Sequence, residues 1–115
     1  MTKRTAFGIA ACLLSLLLTA CDTQKIGDIT ADPGRFQGKE VSVAGKVTNV
    51  SVGALNTGFY QIDDGTGKLY VLSESRGAPT QGANVGVKGT IMPTFTFLGR
   101  NYATVLRESA RKSAN

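Results

Sequence analysis

One pattern occurs twice in this chain, first as Val41-Ser42-Val43-Ala44-Gly45-Lys46-Val47 and again, 44 residues later, as Val85-Gly86-Val87-Lys88-Gly89-Thr90-Ile91. Apolar residues alternate with polar or small ones in both copies, the period of a half-buried strand and not of a helix. Gly45 and Gly89 stand on the apolar side. A strand that omits a side chain from its buried face bends or bulges there, as at the corner of a small barrel. Between the copies, FYQIDDGTGKLYVLSE reads as a hairpin, Phe59 to Asp63 against Lys68 to Ser73 around Asp64-Gly65-Thr66-Gly67. After the second copy Pro93 is expected to end the strand. Phe95 to Leu98 with Asn101 to Leu106 then form a last hairpin folded at Gly99-Arg100.

These segments make five strands, at about 40–50, 58–63, 67–73, 84–91 and 100–107. A chain of 115 residues with 14 glycines and few helix-favouring runs has room for one modest core, so the expected class is all-β. Ahead of the strands, Ile26, Ile29 and Phe36 around Asp32-Pro33-Gly34 predict a short helical turn packed against one end of the sheet. Ser75 to Gly82 holds Gly77, Pro79 and Gly82 and is expected to be a loop. The set resembles the OB-fold, a five-stranded Greek-key barrel, and specifically bacterial OB-fold domains related to the anticodon-binding type. That likeness is carried by Gly38-Lys39-x-Val41-x-Val43-x-Gly45-x-Val47, by Phe59-Tyr60-x-Ile62-Asp63-Asp64-Gly65-Thr66-Gly67 and by Gly82-x-x-Val85-x-Val87-x-Gly89.

The N-terminus has a different character. Lys3 and Arg4 precede an uncharged stretch, residues 5–20, that is short of the roughly 20 apolar residues of a membrane-spanning helix. It reads as a secretory signal. Leu18-Thr19-Ala20-Cys21 resembles the lipobox of bacterial lipoproteins, which implies cleavage after residue 20, lipid on Cys21 and attachment to a membrane face through acyl chains. Asp22, in the same resemblance, points to the periplasmic side of the inner membrane. The other readings of Cys21 find little support: Cys12 lies in the segment to be removed, and the chain has no His to act as a base for a thiol. The expected organisation is a signal at 1–20, a tether at 21–27, a barrel at 28–108 and a flexible tail at 109–115. Of 13 basic residues, Lys3 and Arg4 leave with the signal, so 11 face 8 acidic ones and no cationic run remains.

Function is the least constrained part. OB-folds take ligands on strands two and three and on the loops after strands one and four, here Ser51 to Thr57 and Met92 to Gly99. The hairpin carries bulk on both parities, so some of Phe59, Tyr60 and Tyr70 are expected to face outward, with Phe95 and Phe97 on the neighbouring loop. Lys46, Lys68, Arg76 and Arg100 add cations to this candidate ligand face. Rings beside cations suit single-stranded nucleic acid, but Asp63, Asp64 and Glu74 lie in the same hairpin and a periplasmic lipoprotein seldom meets DNA or RNA. The favoured expectation is therefore a non-catalytic binding module, an adaptor for an envelope protein or glycan, with single-stranded nucleic acid as the alternative. No cofactor, metal cluster or catalytic constellation is legible. Asp63-Asp64 belongs to a D-D-G-T-G turn, and adjacent carboxylates on a strand point to opposite faces.

Overall fold

The structure is a computed structural model and describes residues 23–53 and 55–114. The proposed signal, Cys21 and Asp22 lie outside the described residues. Two short helices, α1 (Ile26–Ala31) and α2 (Pro33–Phe36), precede five strands: β1 (Glu40–Val52), β2 (Gly58–Asp63), β3 (Lys68–Ser73), β4 (Asn84–Phe97) and β5 (Arg100–Ser113). The strands close into a barrel in the order β1-β2-β3-β5-β4. All pairs are antiparallel except β3 with β5. The described barrel and the packing of its interior run from Gln24 to Ala114.

Alternation places Val43, Val47, Tyr60, Ile62, Leu69, Val71, Val85, Val87, Ile91 and Leu106 inside, and the two short helices cap them with Ile26, Ile29 and Phe36. Both glycines of the repeated pattern sit where chains pass closely. A Cβ on Gly45 would lie 2.6 Å from the Asp63 carbonyl oxygen, and one on Gly89 would lie 2.0 Å from that of Arg107. The register shifts near each, between Val47 and Asn49 on β1 and between Lys88 and Gly89 on β4. The missing side chains thus allow the close approach and the bulge through which the strands bend.

Four boundaries differ from the sequence reading. Ile26 is fully buried and Gln24 N–H donates to the Ser42 carbonyl at 2.7 Å, so the structured chain begins before residue 28. Pro33 opens α2 instead of ending a helical turn, because its missing N–H is unneeded at a first helical position. Pro93 does not end β4, which runs on to Phe97. β1 pairs with β4 only as far as Thr90. Gly38 and Lys39 cover the edge at Ile91, and past Ile91 no strand pairs with this side of β4 among the described residues, where a strand tolerates proline. The tail expected at 109–115 is part of β5 as far as Ser113, paired with Val85, and Ala114 N–H donates to the Asn84 carbonyl.

Asp63 and Asp64 build the turn predicted for them and clamp the N-terminal segment to it. Asp63 accepts from Gly65 N–H at 2.8 Å, and Asp64 accepts from Thr66 N–H at 2.8 Å and Ile26 N–H at 2.9 Å. Burial raises the Asp64 pKa, but hydrogen bonds from Ile26, Thr66 and Gly67 outweigh it and hold the carboxyl below its usual value. A depressed folded-state value stabilises the fold above the ordinary carboxylate range, and that contribution fades as the pH falls through the lowered value. Asp64→Ala is expected to cost about 1–2 kcal/mol near neutrality, the range of a lost side-chain cap. In thermal melts between about pH 6 and about pH 2 its deficit should shrink on acidification. A deficit independent of pH would remove the carboxylate from the explanation.

Candidate functional site

The outer faces of β2, β3, β4 and β5 carry a second apolar cluster, separate from the barrel interior. Phe59, Leu72, Phe97 and Val105 form its buried part, with Tyr70, Met92, Phe95 and Tyr102 packed around them. Two features put it there. Both parities of the β2–β3 hairpin are apolar, so filling the barrel leaves Phe59, Tyr70 and Leu72 outside. The outer end of the β4–β5 hairpin then brings Phe95, Phe97 and Tyr102 onto the same rings. Phe59 is the hub: its ring centroid is 5.1 Å from that of Tyr70 with the planes 1° apart, 4.7 Å from Phe97 and 4.7 Å from Tyr102. Tyr70 and Tyr102 meet at 4.8 Å. Offset and tilted contacts of this kind contribute about 0.5–1.5 kcal/mol per pair beyond area burial.

The structure therefore divides the predicted aromatics. Tyr60 faces the barrel interior and is fully buried, because its parity on β2 is that of Ile62. Phe59 and Phe97 are outside the barrel yet 3% and 8% exposed, since the neighbouring rings cover them. Tyr70 and Phe95 keep part of their surface in solvent, as does Tyr102, which the sequence reading did not include. The β4–β5 turn is also one residue earlier than Gly99-Arg100, the position expected from the sequence. It lies instead at Leu98-Gly99, closed by the Phe97–Arg100 pair, and this register sets Tyr102 opposite Phe95. Two successive residues with positive φ, +50° at Leu98 and +79° at Gly99, are the local cause.

The cations are distributed unevenly. Lys46 and Lys68 flank Asp63 in register on the outer face, and Lys68 precedes Tyr70 by two positions on β3. Between them and the rings lies a polar row in which Asn49 Nδ2 and Thr48 Oγ1 donate to Gln61 Oε1 at 2.9 and 3.1 Å. Arg100 is exposed beside the β4–β5 turn. Arg76 is not part of this face. Its guanidinium donates to Glu108 Oε2 at 3.4 Å and to the Ser109 carbonyl at 3.0 Å, and so fixes the loop after β3 to β5.

Glu108 is the centre of a buried polar network that the sequence did not reveal. Tyr60 Oη donates to Glu108 Oε1 at 2.5 Å, and Arg111 Nη1 donates to the same oxygen at 3.4 Å and to the Gly77 carbonyl at 3.2 Å. The bulge at Ser109, which lets Lys88 face Ala110 and Gly89 face Glu108, turns both Glu108 and Arg111 inward. Burial, then the hydrogen bond to Glu108 and its charge, push the Tyr60 phenol far above the ordinary tyrosine range, and Arg111 offsets only part of this. Tyr60 is thus a neutral donor inside the barrel. It is not a ring offered to a ligand.

No protein-family profile and no curated protein matches the chain. Among solved structures, aspartyl-tRNA synthetase from Entamoeba histolytica aligns with 83% of this chain at 13% identity and a TM-score of 0.65. The domain has the OB-fold. Asparaginyl-tRNA synthetase from Pyrococcus horikoshii aligns with 70% of the chain at 18% identity and a TM-score of 0.57. A replication protein A heterotrimer bound to single-stranded DNA aligns with 68% at 22% identity and a TM-score of 0.51. The OB-fold domain spans 22% and 20% of the two synthetase chains, and identities this low carry the fold and not the activity. In OB-folds the outer surface of strands two and three is the usual ligand face, the surface on which the ring cluster lies here.

Proposed function

We propose that this OB-fold is a non-catalytic module that binds a single-stranded nucleic acid across the aromatic outer face of β2, β3 and the β4–β5 hairpin. The observation that carries the reading is the row of half-buried rings, Tyr70, Tyr102 and Phe95, set on a rigid base of Phe59 and Phe97. Rings held in place by packing lose little freedom when a base stacks on them, and each stacked base contributes about 1–3 kcal/mol. The amides of Gln61 and Asn49 lie beside Tyr70 as polar contacts, and Lys46, Lys68 and Arg100 supply charge for phosphates. The likeness to a single-strand-bound replication protein A supports this choice of ligand over a glycan or envelope protein. A protein partner is the second reading, favoured by Asp63, which sits between Lys46 and Lys68 and weakens the positive potential there.

Titration of residues 23–115 into labelled single-stranded DNA, followed by fluorescence anisotropy at two salt concentrations, tests the ligand. Three phosphate contacts predict a slope of log affinity on log salt of about −2. Tyr70→Ala is expected to weaken binding about tenfold with a smaller change in thermal midpoint than Phe59→Ala, because part of the Tyr70 ring stays in solvent. Absence of binding at low salt, or binding indifferent to Tyr70→Ala, would leave the protein partner in front.

The location follows from the lipobox resemblance. Cys21 is the proposed site of a diacylglyceryl thioether, with the periplasmic face of the inner membrane favoured by Asp22. Wild-type protein should incorporate labelled palmitate and Cys21→Ser should not. Equal labelling of the two would end this reading. A lipid-anchored single-strand binder fits a step in which a nucleic acid passes through the envelope.

A further inference from the structure

The two loops at one pole of the barrel end in exposed leucines held in an unfavourable backbone conformation. Leu55 is 92% exposed and Leu98 75%, with Val52 at 67% on the strand that leads to the first loop. The loops adjoin: a Cβ placed on Gly53 would touch the Phe97 ring at 3.4 Å. φ is +56° at Leu55 and +50° at Leu98, the left-handed region that side chains other than Gly, Asn and Asp seldom occupy. Leu98 and Gly99 form the two-residue turn between Phe97 and Arg100, with positive φ at both positions. Asn-Gly is the favoured pair for such a turn. Leucine there strains the turn and also exposes an apolar side chain to water. Strain that folding does not require points to function.

The surroundings narrow the partner. From Val47 to Ile62 no residue is charged, and from Gly89 to Leu106 the single charge is Arg100. Leucine offers a base no ring to stack on. Protein hot spots favour Trp, Tyr and Arg over Leu and Val. Exposed aliphatic side chains backed by aromatic ones, with one cation and no anion, suit the boundary between lipid headgroups and acyl chains, where an arginine keeps its charge among phosphates. We propose that this pole is a membrane-docking tip, in which Val52, Leu55 and Leu98 enter the apolar boundary of a lipid surface and Arg100 meets the headgroup phosphates. The N-terminal segment packs at the other end of β2, on the turn holding Asp64 and Thr66. Together with the acyl anchor proposed on Cys21, on which this orientation rests, the tip would lay the barrel along the bilayer.

Residues 23–115 contain all the described strands and both apolar clusters, and their sedimentation with phosphatidylcholine vesicles tests the tip without any acyl anchor. The wild type is expected to sediment with the vesicles. Leu55→Asn and Leu98→Asn should each lower the vesicle partition coefficient about tenfold, while the thermal midpoint stays level or rises, because Asn accepts positive φ. Tyr70→Ala should sediment like the wild type, which separates a failure of this inference from a failure of oligonucleotide binding. A wild type that stays in the supernatant overturns the proposal, and so do Asn variants that sediment equally well. A fall in midpoint on Leu98→Asn also overturns it, since the turn would then depend on its leucine. Vesicle-free self-association through the leucines, in place of lipid binding, would make this pole a contact between copies of the chain.

Discussion

Glu108→Ala is expected to destabilise the barrel by about 3–5 kcal/mol, the range for removing one partner of a buried ion pair. The Glu108 side chain has no exposed surface, and the Arg111 side chain retains 16%. Truncation leaves the largely buried Arg111 guanidinium without its carboxylate and the fully buried Tyr60 hydroxyl without its acceptor. Neighbouring variants apportion the loss. Tyr60→Phe removes one hydroxyl while Glu108 keeps Arg111, and should cost about 1–3 kcal/mol. Arg76→Ala should cost under about 1 kcal/mol through its ion pair, because that side chain is 48% exposed and water screens it. Urea unfolding with an unchanged slope is the measurement. A Glu108→Ala loss below about 1 kcal/mol would mean that Arg111 finds other partners and that the network does not organise the end of β5.

Phe59→Ala is the second large effect, at about 3–5 kcal/mol. Phe59 lies on the outside of β2, where a ring offered to a ligand would be spared from stability. Instead it contacts Tyr70, Phe95, Phe97 and Tyr102 and is 3% exposed. Removing it opens a cavity under the β4–β5 hairpin and separates that hairpin from the sheet. The thermal midpoint should fall by about 12 °C or more, whereas Tyr70→Ala should fall by much less. Equal, small shifts for the two would show that the hairpin does not cover the face in solution and would return Phe59 to the ligand.

The contrast between these residues shows how far the chain could be read without coordinates. Alternation in VSVAGKV and VGVKGTI, with a turn at DDGTG, placed β2 and the start of β4 and set β1 and β3 nearly right. Such short periods report directly which side chains share a face. The closed five-stranded barrel followed from the number of strands and from the likeness of these motifs to the OB-fold. The ends of β4 and β5 did not follow. Pro93 is a strand breaker only where a partner needs its N–H, and it is the absence of β1 beyond Thr90 that frees that edge. Glu108 and Arg111 look like ordinary tail charges until the bulge at Ser109 turns them inward.

The candidate face divides in the same way. Tyr70, Lys46 and Lys68 were legible as residue types on the right strands, Phe95 and Arg100 as residue types near the β4–β5 turn, and the structure keeps all five on the outer surface. Tyr60 and Phe59 are adjacent in sequence and both aromatic, so composition alone ranks them equally. Parity sends Tyr60 into the barrel beside Ile62. Packing of the distant Phe97 and Tyr102 then covers Phe59, a contact across more than thirty residues of sequence. The sequence by itself determined the all-β class, the glycine bends and the chemistry of the Asp63–Gly67 turn, because these depend on neighbours along the chain. Which rings remain for a ligand, which charges are buried and which loops adjoin were decided only in the tertiary structure, because burial belongs to the closed barrel and the hairpin folded over it, not to any one segment.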